Sequence, residues 1–68
     1  KSKVILRVYK KITELAAKSE SVHQLYFEIN EQFGQETKEL LLQNDFSEAY
    51  IQKDMQGKDR IVWGRKSS

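Results

Sequence analysis

Residues 31–46, Glu-Gln-Phe-Gly-Gln-Glu-Thr-Lys-Glu-Leu-Leu-Leu-Gln-Asn-Asp-Phe, decide the fold that the sequence predicts. Glycine tolerates the left-handed backbone that often ends a helix, so Gly34 predicts a sharp corner between two helices. The helix after the corner, over 35–44, holds three consecutive leucines that spread over a wide angle at about 100° per residue. We therefore expect this helix to touch apolar neighbours on more than one side.

The segment before the corner predicts two more helices. Residues 3–18 place a set of apolar side chains on one helical stripe: Val4, Val8, Ile12, Leu15 and Ala16. Residues 3–9 are also rich in β-branched and aromatic side chains, so a strand there stays open as the alternative. Ser21 and Gln24 match a capping box and predict a helix over 22–33. Its apolar residues fall within a narrow arc: Val22, Leu25, Tyr26, Ile29 and Phe33.

The segment after the corner predicts a β-hairpin over 49–65. Its connection is longer than a two-residue turn, and Gly57 supplies the unusual backbone angles that such a connection needs. We expect Phe46, just before the hairpin, to fold back on the core. The register predicts two cross-strand pairs: Ile51 with Val62, and Tyr50 with Trp63.

The order helix, helix, turn, helix and hairpin resembles the winged helix-turn-helix superfamily. The resemblance covers nearly the whole chain, and it implies a single α+β, mainly helical domain over 1–68 with three helices and a C-terminal wing. Many members of that superfamily bind duplex DNA, with the third helix in the major groove and the wing on the backbone or minor groove. Others bind proteins. The chain departs from the usual pattern between its first two helices, where Ser21-Val22 is the only candidate for a short strand.

Composition excludes several classes of protein. Sixty-eight residues allow one small domain, and the absence of cysteine excludes disulfides and cysteine-based metal sites. Apolar runs are too short for a membrane span, and no secretion signal is visible, so we expect an intracellular protein, cytoplasmic or nuclear. The sequence begins with Lys, which suggests a domain of something larger. One histidine and no glycine-rich loop predict a protein that is not an enzyme and needs no cofactor, metal or small-molecule substrate.

Charge is unevenly distributed along the chain, although the net charge is only +2. Residues 1–18 carry six basic residues against one acidic, residues 19–48 carry one against seven, and residues 49–68 carry five against two. Phosphate contacts supply most of the non-specific affinity of DNA-binding domains, and the third helix begins with Glu36 and Glu39. The charge pattern therefore predicts that duplex DNA is contacted by the wing and first helix more than by the third helix.

The function predicted from these observations is nucleic-acid binding in transcription or replication. The expected contacts are Lys53, Lys58, Arg60, Arg65 and Lys66 in the wing, Lys38, Gln35, Gln43 and Asn44 on the third helix, and Lys3 and Arg7 on the first. Some of these residues also fit structural roles: lysines protect edge strands, and glutamate at a helix start stabilises the helix. Trp63, beside Ile61 and Val62, could stack on a base, but the sequence favours a core position for it. The alternative is a protein-interaction or dimerisation module that uses apolar residues off the main stripes: Leu6, Phe27 and Leu42.

Overall fold

The computed structural model describes residues 4–67. Its elements are α1 (Val4–Lys18), β1 (Gln24–Glu28), a 3-10 turn (Glu31–Phe33), α2 (Gly34–Gln43), β2 (Glu48–Lys53) and β3 (Asp59–Arg65). Across these residues the strands form one sheet in the order β1-β3-β2, with β3 antiparallel to both neighbours. β1 and β2 are therefore parallel to each other, and α2 is the crossover that connects them.

The prediction of a three-helix winged-helix domain is wrong. Within residues 4–67 there are two α-helices, and the helix predicted over 22–33 is replaced by β1 and the 3-10 turn. Pairing with β3 satisfies the backbone of β1 and turns Leu25 and Phe27 towards the helices, so that Phe27 is only 6% exposed. The predicted helical arc included Tyr26 and left out Phe27, whereas the strand exposes Tyr26 and buries Phe27.

Helix α1 lies where the spacing predicts a helix, and the strand alternative is not observed from Val4 onward. Of its predicted apolar stripe, however, only Ala16 is buried in the core. Thr13 and Ala16 are the buried residues of α1, and Tyr9 packs beside them with its ring centroid 4.6 Å from that of Phe27. Most of the predicted stripe is exposed: Val4, Val8, Ile12 and Leu15.

Gly34 has a role different from the predicted one. Its backbone is right-handed helical, with φ −59° and ψ −52°, and it begins α2 instead of ending a helix. A Cβ atom at this position would collide with the carboxylate of Asp59 on β3, so a larger residue here would displace that carboxylate. The predicted left-handed glycine corner is therefore wrong, whereas Gly57 does adopt a positive φ of 83° in the hairpin connection.

The hairpin register is confirmed, since Ile51 lies opposite Val62 and Tyr50 opposite Trp63. Phe46 is also buried as predicted and packs in a core that fills the space between the helices and the sheet. The largest fully buried apolar side chains are Phe46, Leu41 and Val62. In the part of the chain that the structure describes, neither helix has the length and apolar character of a membrane span.

Candidate functional site

The basic hairpin residues, which are predicted nucleic-acid contacts, lie beside carboxylates. Lys53 Nζ is 2.5 Å from Asp59 Oδ1, and Arg60 Nε donates to Asp54 Oδ2 at 2.8 Å. Lys58 Nζ is 3.9 Å from a Glu31 oxygen. These pairs reduce the local positive field, so the hairpin is closer to a balanced ionic surface than to a phosphate-binding wing.

Asp54 organises the connection between β2 and β3. Its Oδ1 accepts hydrogen bonds from the backbone N–H groups of Gln56 at 2.8 Å and Lys58 at 3.0 Å. The side-chain hydrogen bond from Arg60, helped by the backbone N–H of Lys58, lowers the pKa of Asp54 to about 2. The ionised carboxylate therefore fixes the turn, and it is a structural group of this hairpin.

A row of aromatic rings crosses the sheet on the face opposite the helices. The ring centroid of Trp63 lies 5.5 Å from that of Tyr26 and 4.8 Å from that of Tyr50. Glu48 closes the row at one end, because its Oε1 accepts from Tyr50 at 2.8 Å and from Arg65 at 3.0 Å. The Tyr50 hydrogen bond, followed by that of Arg65, lowers the pKa of Glu48, and the same carboxylate raises the pKa of Tyr50. Trp63 is half-buried in this row, not part of the core.

Lys66 was predicted to meet phosphate, but its amine is bound inside the chain. Nζ donates to the carbonyl oxygens of Ala16 at 2.8 Å, Ala17 at 3.2 Å and Ser19 at 2.8 Å. These carbonyls lie at the end of α1, where the helix has no further N–H groups of its own to offer and the Ala16 carbonyl accepts a turn hydrogen bond from the Ser19 N–H at 3.1 Å. Lys66 therefore caps α1 from the far end of the chain and lies 5.7 Å from the ring centroid of Phe46.

The residues of α2 that were predicted to contact nucleic acid differ in their exposure and in their hydrogen bonds. Gln35 Nε2 donates to Glu39 at 3.3 Å, and Asn44 Nδ2 donates to the Leu40 carbonyl at 2.8 Å, where it caps α2. Lys38 is half-buried and Gln43 is exposed. Lys3 lies outside the described residues.

The groove between α1 and α2 brings together two other predicted residues. Leu6 and Arg7 line a shallow cavity of about 370 Å³ together with Lys10, Glu36 and Leu40. The other predicted protein contacts are elsewhere: Leu42 is exposed outside this lining, and Phe27 belongs to the core. Of the three predicted protein contacts, Leu6 lines the groove, Leu42 is exposed and Phe27 is buried.

Within residues 4–67 no group of three or more His, Cys, Asp or Glu side chains could hold a metal ion. Sequence reasoning missed a different feature, the outer edge of β1. The Tyr9 hydroxyl donates to the Glu28 carbonyl at 3.0 Å, beside backbone groups that point away from β3. The signal in the sequence was the alternation of Leu25 and Phe27 with Gln24, Tyr26 and Glu28, which indicates a half-buried strand.

Two curated relatives share most of this chain. Over 58 residues, or 84% of the chain, it is 48% identical to a release factor glutamine methyltransferase of Flavobacterium psychrophilum. A release factor glutamine methyltransferase of Bacteroides thetaiotaomicron is 38% identical over 58 residues, again 84% of the chain. The matched stretches cover 20% and 21% of these relatives, so the chain spans about a fifth of their length. No family model matches, and no solved structure matches.

These relatives contradict the function predicted from charge. Both are named as methyltransferases, so the prediction of a DNA-binding regulator is wrong, and so is the prediction of a protein that is not an enzyme. The predicted nucleic-acid partner is corrected on the same ground, because the relatives are named for a protein, a release factor. The prediction of DNA binding was wrong for a physical reason: most of the basic side chains of the hairpin bind groups of this chain, where they pair with carboxylates or cap a helix.

Proposed function

We propose that this chain is a segment of a release factor glutamine methyltransferase. The observation that carries the proposal is the 48% identity over 58 residues to a relative of that name. The similarity extends over 84% of the chain, so it includes helical, strand and hairpin residues instead of one local motif. The second relative, at 38% identity, supports the same assignment.

In that enzyme the segment has a structural role. Its β1-α2-β2 crossover, with β3 inserted between the parallel strands, is a compact helix-on-sheet unit. Several charged and hydroxyl side chains form bonds within this unit, as Asp54 and Lys66 do, and those bonds fix its turns and helix ends. The enzyme transfers a methyl group from a small-molecule donor to a glutamine side chain of a release factor. Its place of action is the cytoplasm, where release factors work.

The test is methyl transfer by the longer polypeptide that carries this sequence. The purified protein is incubated with a release factor and S-adenosylmethionine, and glutamine methylation is measured by mass spectrometry. We expect a methylated glutamine in the release factor. The proposal fails if the folded polypeptide leaves the release factor unmodified.

A pair of aspartate variants tests whether this segment is part of the working enzyme. Val62 is fully buried in the sheet and Met55 is fully exposed in the hairpin connection. Val62→Asp places a charge in the core and is expected to abolish folding and methyl transfer together. Met55→Asp adds the same charge at the surface and is expected to leave both unchanged. Equal activity of the two variants would contradict a framework role.

A further inference from the structure

The outward face of α1 carries a group of exposed basic side chains. At about 100° per residue, Arg7, Lys11 and Lys18 fall within about 40° of one another, on the side of the helix away from its buried residues. Lys10 is exposed beside them, where α1 meets the groove that it forms with α2. The helix has one acidic residue, Glu14, so this face has an excess of positive charge.

These cations differ from those of the hairpin in their surroundings. Among residues 4–67 the ion pairs all involve basic side chains of the hairpin, and none involves a basic side chain of α1. Arg7 and Lys11 are also four residues apart, a spacing at which like charges destabilise a helix. The stability of the described fold therefore does not explain this charge, whereas an anionic partner would.

Three of these cations, Arg7, Lys10 and Lys11, form a basic cluster at the carboxyl edge of the sheet. The Tyr9 hydroxyl donates to the carbonyl oxygen of Glu28, the last residue of β1, at 3.0 Å. The parallel strands β1 and β2 both end at this edge. Ligands of open α/β sheets bind outside the carboxyl ends of the parallel strands. The basic cluster therefore flanks the edge at which a substrate is expected.

Lys18 lies on the same face of α1 but at the opposite edge of the sheet. A helix rises about 1.5 Å per residue, so Lys18 is roughly 16 Å from Arg7 along the axis. This end of α1 is capped by Lys66, which follows β3 where that strand pairs with the start of β1. Lys18 therefore serves as an internal control, because it has the same charge on the same helix face but lies away from the carboxyl edge.

The groove beside the basic cluster places an apolar contact next to the cations. Leu6 and Leu40 line it together with Arg7 and Lys10, and its volume is about 370 Å³. Glu36 also lines it, from α2, so the groove is basic along α1 and acidic along α2. This arrangement is complementary to a segment that sets an apolar side chain between the helices and carboxylates against α1. Complementary charges of this kind orient a partner and speed its encounter.

We propose that the basic cluster and the groove bind an acidic segment of the release factor on which the longer enzyme acts. This inference rests on the proposed function, because the partner is taken from the reaction assigned there. The acidic segment is separate from the acceptor glutamine, and its contact with α1 holds the release factor on the enzyme. Arg7 and Lys10 therefore act in binding, and their charge determines the KM for the release factor and not the kcat.

Methylation kinetics of the longer polypeptide test this binding. The KM for the release factor is expected to rise about tenfold in Arg7→Glu and less than about twofold in Lys18→Glu, with kcat unchanged in both. Arg7→Lys keeps the charge, and its KM is expected to stay within about twofold of that of the unsubstituted protein. Equal KM values for Arg7→Glu and Lys18→Glu would overturn the proposal.

A short peptide that contains the acceptor glutamine separates loss of binding from damage to the enzyme. The peptide lacks the acidic segment, so Arg7→Glu is expected to methylate it with a kcat/KM within about twofold of that of the unsubstituted protein. Added salt is expected to raise the KM for the release factor and not for the peptide, because salt screens exposed charge pairs. An equal loss of activity towards both substrates would assign Arg7 a structural role and overturn the proposal.

The affinity of the longer polypeptide for the release factor separates this inference from the proposed function. It is measured by fluorescence anisotropy before and after nuclease treatment. A Kd that rises about tenfold in Arg7→Glu but not in Lys18→Glu supports the binding even if no glutamine is methylated, and the missing reaction would then refute only the proposed function. Methylation with the same Kd and KM in both variants refutes only the binding. Binding that nuclease abolishes would assign the basic cluster to a nucleic acid and overturn the proposal.

Discussion

Replacing Lys66 with methionine tests the longest-range polar contact described above. Lys66 Nζ donates to three carbonyls at the end of α1, those of Ala16, Ala17 and Ser19, at 2.8 to 3.2 Å. Lys66→Met keeps an unbranched stem beside Phe46 but removes the charge and all three donors. The last turn of α1 then loses both its hydrogen-bond cap and a cation that complements the helix dipole.

The expected loss is about 2 kcal/mol in the free energy of unfolding. A hydrogen bond to a charged group contributes roughly 1.5–3 kcal/mol, but the three bonds share one amine and the freed carbonyls can recover some bonding from water. A cation at a helix C-terminus contributes roughly 0.3–1 kcal/mol more. For a domain of this size a loss of about 2 kcal/mol lowers the Tm by roughly 8–16 °C.

Urea unfolding of the 68-residue chain, followed by the fluorescence of its single tryptophan, measures this loss. Trp63 is a suitable probe because it stacks between two tyrosines that separate on unfolding. The matched control is Lys58→Met, whose amine lies 3.9 Å from Glu31 at the surface and is expected to change stability by less than about 0.5 kcal/mol. If the two variants lose the same stability, the cap on α1 is not a significant interaction and the reasoning is wrong.

Three other perturbations have outcomes of known sign, and urea unfolding measures each. The pKa of Asp54 is depressed from 3.8 to about 2 in the folded chain, so its stabilising effect is complete above pH 3.8 and is lost as the pH falls towards 2. Asp54→Asn is therefore expected to unfold with less pH dependence across that interval, and an unchanged pH profile would contradict the pairing with Arg60. Gly64→Ala is expected to cost about 1–2 kcal/mol, because its new methyl group would lie 3.0 Å from the backbone carbonyl oxygen of Glu48 and 3.1 Å from Leu41 Cδ1, and an increase in stability would show that the site has room. Thr37→Val removes a buried hydroxyl that has no hydrogen-bond partner among the described residues and should stabilise by about 1 kcal/mol, whereas Thr13→Val, whose hydroxyl is bonded, should not.

The hairpin was predicted correctly because its structure is determined by residues that are close together in the sequence. Strand length, the glycine in the connection and cross-strand spacing together determine the register, and Tyr50 meets Trp63 as expected. The helices over 4–18 and 34–43 also follow from apolar spacing that no nearby segment overrides. These elements needed no knowledge of the rest of the chain.

The segment over 22–33 was mispredicted because its pattern fits two structures. Leu25, Tyr26 and Ile29 lie on one side of a helix, but Leu25 and Phe27 also alternate as in a strand. The choice between them depends on β3, more than thirty residues further on, which supplies the partner backbone. Long-range pairing overrode the local helical pattern. The predicted helix-turn-helix is therefore absent from the described residues, and the functional prediction depended on it.

The exposed stripe of α1 shows why the candidate site was harder to predict than the fold. Sequence reasoning assigned Val8 and Ile12 to the core of a self-contained domain, and in that setting the assignment was sound. The structure instead buries the neighbouring face through Thr13 and Ala16 and leaves Val4, Val8, Ile12 and Leu15 exposed. A helix that is apolar on two sides is poorly explained by one small domain but is expected in a segment of a larger protein. The residues for which the core prediction was wrong therefore agree with the proposal that this chain is a segment of a longer protein.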